Sequence, residues 1–310
     1  MPQTTADAED PLSVSPQDGW TPASQPTWRA WLARHSAVLL SLPTLLWLLI
    51  FFVAPLLIIL MMSVMTRGAG GVPQLPLTLE HYDRTFNIFG VVLNRSLWIA
   101  FWTTLACLLL AYPMAVFIRT RHKPWVRSLA LFLVVLPFWT NFLARTYAWR
   151  MLLGNEGIIN SLLARLGLTE HGLQLLNTEL AVMIGLVYGF LPFMVLPIYA
   201  SVERFDFRYV EAATDLGANY WHTFWRVMLP MTLPGVLAGC VLVFVPSIGA
   251  FVTPDLLGGR SGLMIGNLIN SQFKGTGNMP LGAAMSVVLL AFVLLPLAAY
   301  LRMNREERLN

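Results

Sequence analysis

The sequence predicts an all-α integral membrane protein built on six transmembrane helices, and three observations predict it. Of the 310 residues, 56% are hydrophobic and only 12% charged, about half the charge of an average soluble domain. Six stretches carry no charge at all: residues 37–66, 96–118, 128–144, 180–202, 227–254 and 275–301. The link between the second and third stretches holds Arg119, Arg121, Lys123 and Arg127 and no acid, the charge bias of a cytoplasmic loop.

Each element follows in chain order. Residues 1–35 are rich in Pro, Ser, Thr and Gln with the acids Asp7, Glu9, Asp10 and Asp18. That composition predicts a disordered cytoplasmic tail. It lacks a basic start followed by an apolar run, so no secretory signal is expected. Trp28, Arg29, Trp31 and Arg34 then form an expected interfacial anchor. A bilayer core takes about 20 helical residues; each of the six stretches can span it, the third only just. Pro55, Pro113, Pro137, Pro192, Pro197 and Pro246 fall in or near them and predict kinks. With the basic link inside the cell, six spans put both termini in the cytoplasm. Arg302, Arg305 and Arg308 in the C-terminal tail (303–310) agree with that orientation. Residues 67–95, 145–179 and 255–274 become the outer loops, with a short surface helix expected at 263–273.

The most informative stretch is the cytoplasmic loop 203–230, within the six-span domain 36–302. Its charged sequence predicts two short helices around a break. Residues 202–216 hold helix formers and an apolar face at Phe205, Tyr209, Ala212, Ala213 and Leu216. Gly217 suits the left-handed residue that stops such a helix, and Asn219 suits the cap of the next. Small Ala212 and Ala213 permit another protein's backbone to come close, while Glu211 and Asp215 offer charge to its cations. These features describe a docking element.

The pattern Glu211-Ala212-Ala213, Gly217, Val227, Leu229-Pro230 resembles the signature loop of the membrane subunits of binding-protein-dependent ABC importers, with Val227 where isoleucine is usual. Leu136-Pro137-Phe138-Trp139-Thr140-Asn141, Arg145-Thr146-Tyr147-Ala148-Trp149 and the run 249–259 resemble the polyamine-type branch, whose pattern is the first permease subunit of spermidine/putrescine uptake systems. The resemblance covers nearly all of the chain after residue 37. It implies the type I importer permease fold (MetI-like) in a bacterial inner membrane. It also implies a second homologous six-span permease, two copies of an ABC ATPase and a periplasmic binding protein as partners. The ATPase-docking residues it implies are Glu211, Ala212, Ala213, Asp215, Gly217, Leu229 and Pro230.

The remaining chemistry fits that expectation. No P-loop motif occurs, nor a catalytic triad or nucleophile elbow, so ATP hydrolysis is expected from a partner and the chain is not expected to be an enzyme. Gly258-Gly259-Arg260-Ser261-Gly262 lacks the P-loop lysine and reads as a turn. Cys107 and Cys240 lie in apolar stretches and read as core thiols; neither a metal site nor a cofactor is expected. The net charge of +4 reflects loop orientation, not nucleic-acid binding. The spans hold no acidic or basic residue away from their ends, which argues against ion-coupled transport. A polycation crossing such spans needs aromatic faces. Trp139, Asn141, Tyr147, Tyr188 and Asp255 are therefore the candidate path, with Trp149, Phe190 and Glu156 near it. Arg145 and Arg150 sit awkwardly in a cation route and suit the acidic surface of a binding protein instead. The competing readings are a permease of the same branch for another small solute and a six-span secondary transporter; copurification of an ATPase separates the latter.

Overall fold

The computed structural model describes residues 41–167, 172–274 and 277–306. The expected N-terminal tail, its tryptophan and arginine anchor, and the last four residues lie outside the described residues. The chain divides into two units at Leu56 and Leu57. The described part of the first unit belongs to α1 (Ser41–Ser63), which has a mean hydropathy of 2.9. Trp47, Leu49, Phe51 and Phe52 on α1 are exposed, as suits side chains meant for lipid.

The second unit continues with a hairpin, β1 (Met65–Arg67) and β2 (Pro73–Leu77), paired antiparallel with Met65 opposite Leu77. Then come α2 (Glu80–Asn87), α3 (Gly90–Arg119), α4 (Pro124–Val135), α5 (Phe142–Leu153), α6 (Ile158–Arg165) and α7 (Glu179–Arg204). The cytoplasmic-type loop carries α8 (Arg208–Asp215). The chain closes with α9 (Tyr220–Ile248), α10 (Val252–Leu257), α11 (Ile265–Lys274) and α12 (Met279–Glu306).

The core is a three-helix packing of α3, α7 and α9. Cys107, Ala111 and Ala115 of α3, Met194, Val195 and Ile198 of α7, and Val236 and Val243 of α9 meet in its largest cluster. Small residues let the helices close up, the usual device where lipid removes the hydrophobic drive. A Cβ on Gly239 would sit 2.7 Å from Met194 Sδ, and one on Gly235 would collide with Ser201 and the Pro197 carbonyl. Several polar groups tie the helices together, as apolar surroundings favour, although Thr103 Oγ1 of α3 is buried without a partner. Tyr112 Oη and Thr232 Oγ1 lie 2.9 Å apart, joining α3 to α9. Arg95 pairs with Glu179 at 3.2 Å, joining α3 to α7. The Ile265 amide donates to Ser96 Oγ at 2.8 Å, joining α11 to α3.

Among the described residues, four helices are long and apolar enough to cross a membrane: α1, α3, α7 and α9. The expected third span is where the structure departs most. Residues 128–144 are not one helix. Pro124–Trp139 ends in a 3₁₀ turn, and the chain bends by 93° into Phe142–Arg165. The cause is local. Thr140 adopts an extended backbone with its hydroxyl donating to the Pro137 carbonyl at 2.8 Å, and Asn141 Oδ1 accepts from the Leu143 amide at 2.8 Å to cap α5. Both side chains offer the backbone an alternative to helix. The expected fifth span, 227–254, also shifts: α9 begins at Tyr220 and stops at Ile248, and Pro254 lies in α10. Prolines 113, 192, 197, 234 and 246 sit inside continuous helices. The second span begins earlier than expected, at Gly90, within what reads as outer loop. The short helix expected at 263–273 is α11, but it is not merely superficial: Ile265, Gly266, Asn267 and Gln272 are buried, and it packs on α12 and α3. The Gly-rich run 258–262 is a turn, lying against Val182 of α7.

Candidate functional site

The loop between α7 and α9 is built by local signals. α7 ends at Arg204, and Phe205 turns inward and is buried. The helix expected over 202–216 is therefore two pieces, because Phe205 leaves helical geometry to fill the core. Asp206 Oδ1 accepts from the Arg208 amide at 3.0 Å, starting α8. At the other end Gly217 has φ +84°. Its amide bonds the Thr214 carbonyl at 2.9 Å, and the Ala218 amide bonds the Ala213 carbonyl at 2.9 Å. These are the two bonds of a Schellman stop, which needs a left-handed residue at this position. Asn219 then caps α9, its Oδ1 accepting from the His222 amide at 2.9 Å.

α9 opens with a wide π turn at Phe224–Met228, directly before Leu229 and Pro230. Pro230 has no N–H to give, and a π turn is one way a helix absorbs that loss. Leu229 is half-buried and Pro230 exposed; they belong to the helix, not to the exposed loop.

The loop's outer face is unusual for a short hydrophilic connection. Leu216 and Tyr220 are 89% and 90% exposed, and Tyr209 and Trp221 are exposed as well. Glu211, Ala212 and Asp215 are exposed and Ala213 half-buried. Between α8 and the start of α9 lies a hollow of about 430 Å³, lined among others by Ala213, Leu216, Gly217, Asn219, His222 and Arg226. Apolar tips ringed by carboxylates, on a backbone stiffened at both ends, suit insertion into a groove on a partner.

The inner face is anchored by residues that the sequence pattern does not single out. Phe205 and Phe207 meet edge to face at 5.3 Å. The Arg119 guanidinium lies 5.4 Å from the Phe207 ring. Phe224 meets Tyr112 edge to face at 5.2 Å. The aromatic density of the loop was the available signal; its partners on α3 are a matter of long-range packing.

The candidate path residues do not assemble into one site. Tyr188 is the one of the five that lines the cavities found around it. The larger, about 780 Å³, is walled by Trp98, Trp102, Trp149, Leu180, Ile184 and Tyr188 among others. Trp149 meets Tyr188 edge to face at 5.6 Å. Trp139 is 77% exposed and rests edge-on against Phe132. Asn141 is spent as the α5 cap, Tyr147 is exposed on α5, and Asp255 is exposed in the first turn of α10. Trp98 and Trp102 went unnoticed in the sequence, although their i, i+4 spacing places both on one face of α3. Arg145 shares the lining of a small hollow with Gly185, Tyr188 and Gly189 of α7; its guanidinium lies 5.7 Å from the Phe142 ring, and its Nε and Nη1 are buried without a hydrogen-bond partner.

The family model for binding-protein-dependent transport system inner membrane components matches residues 108–308. The chain is 45% identical over 260 residues to the spermidine/putrescine transport system permease protein PotB of Haemophilus influenzae, covering 84% of this chain and 91% of that one. It is 43% identical to the Escherichia coli PotB, covering 84% and 94%. It is 32% identical to the inner membrane ABC transporter permease protein YdcU of Escherichia coli, covering 87% and 90%. In fold it resembles a chain of a bacterial ABC transporter involved in the import of the acidic polysaccharide alginate, with a TM-score of 0.67, 17% identity and coverage of 89% and 99%.

Proposed function

The chain belongs to the binding-protein-dependent transport system inner membrane components, and from that premise we propose that it is the permease subunit of an ATP-driven importer for polyamines such as spermidine and putrescine. The observation that carries the transport role is the exposed, doubly stopped loop holding Glu211, Ala212, Ala213, Asp215 and Gly217. Rigidity is what a coupling element needs: a flexible loop would absorb an ATPase's movement instead of passing it on. The polyamine assignment is supported by the relatives that carry that substrate in their names and by an aromatic cavity that offers a cation ring faces without fixed charge.

In this proposal the chain crosses the inner membrane six times. α4 with its 3₁₀ turn is the short third span, and α12 is the sixth. Both termini face the cytoplasm. A second homologous permease completes the pathway, two copies of an ATPase drive it from inside, and a periplasmic binding protein delivers the solute. α5 and α6 then lie on the outer side, where the chain bends away from α4. Hydrolysis occurs on the ATPase, so this chain supplies the path and the handle.

The test is reconstitution. Proteoliposomes holding the chain, the second permease and the ATPase should take up labelled spermidine only with the binding protein outside and ATP inside. Uptake without ATP would overturn the importer assignment; ATP-driven uptake of another solute with none of spermidine or putrescine would overturn the substrate alone.

A further inference from the structure

The link between α3 and α4 carries a second feature, beyond the contact that Arg119 makes with Phe207 of the loop. Arg119, Arg121, Lys123 and Arg127 follow closely in the chain with no acid between them; the carboxylate in their neighbourhood, Glu203, accepts from Tyr199 at 3.0 Å. None makes an ion pair among the described residues, where the ion pairs are Arg84–Glu80 and Arg95–Glu179. The Nε atoms of Arg119 and Arg127 are buried without an acceptor, a costly condition for a charged donor. Nη2 of Arg127 donates to the Arg119 carbonyl at 3.4 Å, which brings the two arginines together. The Arg121 guanidinium lies 3.8 Å over the ring of Phe117.

These cations stand at one end of a trough. Phe117 and Ile118 wall an open, almost wholly apolar cavity of about 560 Å³ between α3, α4 and α7. Ala130, one helical turn beyond Arg127, lines it too. Trp125 beside the cluster is 63% exposed, the disposition of a residue at the depth of the lipid headgroups.

We propose that the arginine cluster and this trough form a binding site for an anionic phospholipid, the phosphate held by Arg119, Arg121 and Arg127 and an acyl chain laid along the cavity. Charge complementarity selects the head: guanidinium groups match phosphate oxygens in geometry and supply the missing acceptor. The trough selects the source, because a soluble anion leaves it empty whereas a bilayer supplies phosphate and hydrocarbon in one molecule. Basic pockets between membrane helices are suited to such headgroups. The proposal requires only that the chain lies in a bilayer, and so stands apart from the polyamine assignment.

The experiment uses the full chain, purified from membranes in mild detergent with the subunits that accompany it. Native mass spectrometry of the wild type should show retained phosphatidylglycerol. Arg119→Gln with Arg127→Gln should lower that retention about tenfold. Ala130→Trp, which fills the trough and leaves every charge in place, should lower it as well. In thermal unfolding, phosphatidylglycerol should raise the Tm of delipidated wild type, and phosphatidylcholine or inorganic phosphate should not. Wild-type lipid retention in both variants overturns the site. An equal rise with inorganic phosphate overturns it in favour of a soluble anion. Loss of the ATPase with lipid retained overturns it in favour of an acidic protein surface.

Discussion

Replacing Gly217 by alanine separates two costs that a bulkier change would mix. The residue sits at φ +84°, where any Cβ crowds the following carbonyl at about 1–2 kcal/mol. A Cβ there meets nothing within 4 Å. Within this chain alone, therefore, the whole penalty is backbone strain, a factor of about 5–30 in the population of the stopped conformation. Gly217→Ala should insert normally and bind the ATPase more weakly by about that factor. Gly217→Asn should behave closer to wild type, since asparagine tolerates the left-handed region. In Gly217→Asp the new side chain tolerates the left-handed region as asparagine does, but it adds a carboxylate near Asp215 and should lose transport. If alanine costs far more than the strain, the excess arises in the partner's groove, whose wall the new Cβ would touch. Glu211→Lys reverses a charge on the same exposed face and should also release the ATPase. The assay is ATPase recovery from membranes carrying equal amounts of each variant, with polyamine uptake alongside. If Gly217→Asp and Glu211→Lys both keep full binding and full uptake, this loop does not couple ATP to transport.

Cysteine at Lys123 should be shielded from an impermeant thiol reagent in intact cells and cysteine at Arg260 should react; the reverse pattern overturns the orientation. Arg260 is the better outer probe because it is exposed, whereas a Cβ at Gly258 would press on Val182 at 2.7 Å. Tyr188→Phe should leave uptake nearly intact and Tyr188→Leu should lower it, if the ring face and not the hydroxyl meets the cation; equal uptake in both variants removes Tyr188 from the path. Asp255→Asn should lower uptake with ATPase binding unchanged, and undiminished uptake would leave Asp255 as a helix-end residue. Gly239→Val forces a branched side chain against Met194 and should destabilise the purified chain by about 1–3 kcal/mol, read as a lowered Tm; an unchanged Tm would mean that α7 and α9 can separate freely.

What was legible in the sequence was what short-range chemistry decides. Gly217 and Asn219 state their own conformations, because a Schellman stop and a helix cap are settled within a few residues. Four of the long helices follow from hydropathy alone. The bend at Thr140 was hidden for the opposite reason: residues 128–144 are uncharged and apolar on average, and side-chain hydrogen bonds from Thr140 and Asn141 outweigh that average. The aromatic cavity was only half visible. Trp149 is marked by the outer-loop sequence around it and Tyr188 as an aromatic within the fourth span, but Trp98 and Trp102 join them only because α3 and α7 pack face to face, and no local pattern reports such a pairing. Trp139, Asn141 and Tyr147 drew notice as aromatic or polar residues in a fitting stretch, and the fold then turns that stretch aside.

The same packing says how movement of the loop would reach the spans. The loop touches the core through three aromatic contacts, and they do not go to one helix. Phe205 is buried among α7, Phe207 lies under Arg119 at the end of α3, and Phe224 lies against Tyr112 within α3. Tyr112 in turn pairs with Thr232 of α9. A push on α8 is thus delivered to α3, α7 and α9 together, the three helices that share the main core. Such a core is bistable more readily than it is elastic, because close-packed side chains move as a body or not at all. At the opening of α9 the π turn before Pro230 gives up regular helical bonding. In the proposed cycle α8, its aromatic contacts and the three core helices move together, and the π turn at Phe224–Met228 fixes where α9 meets them.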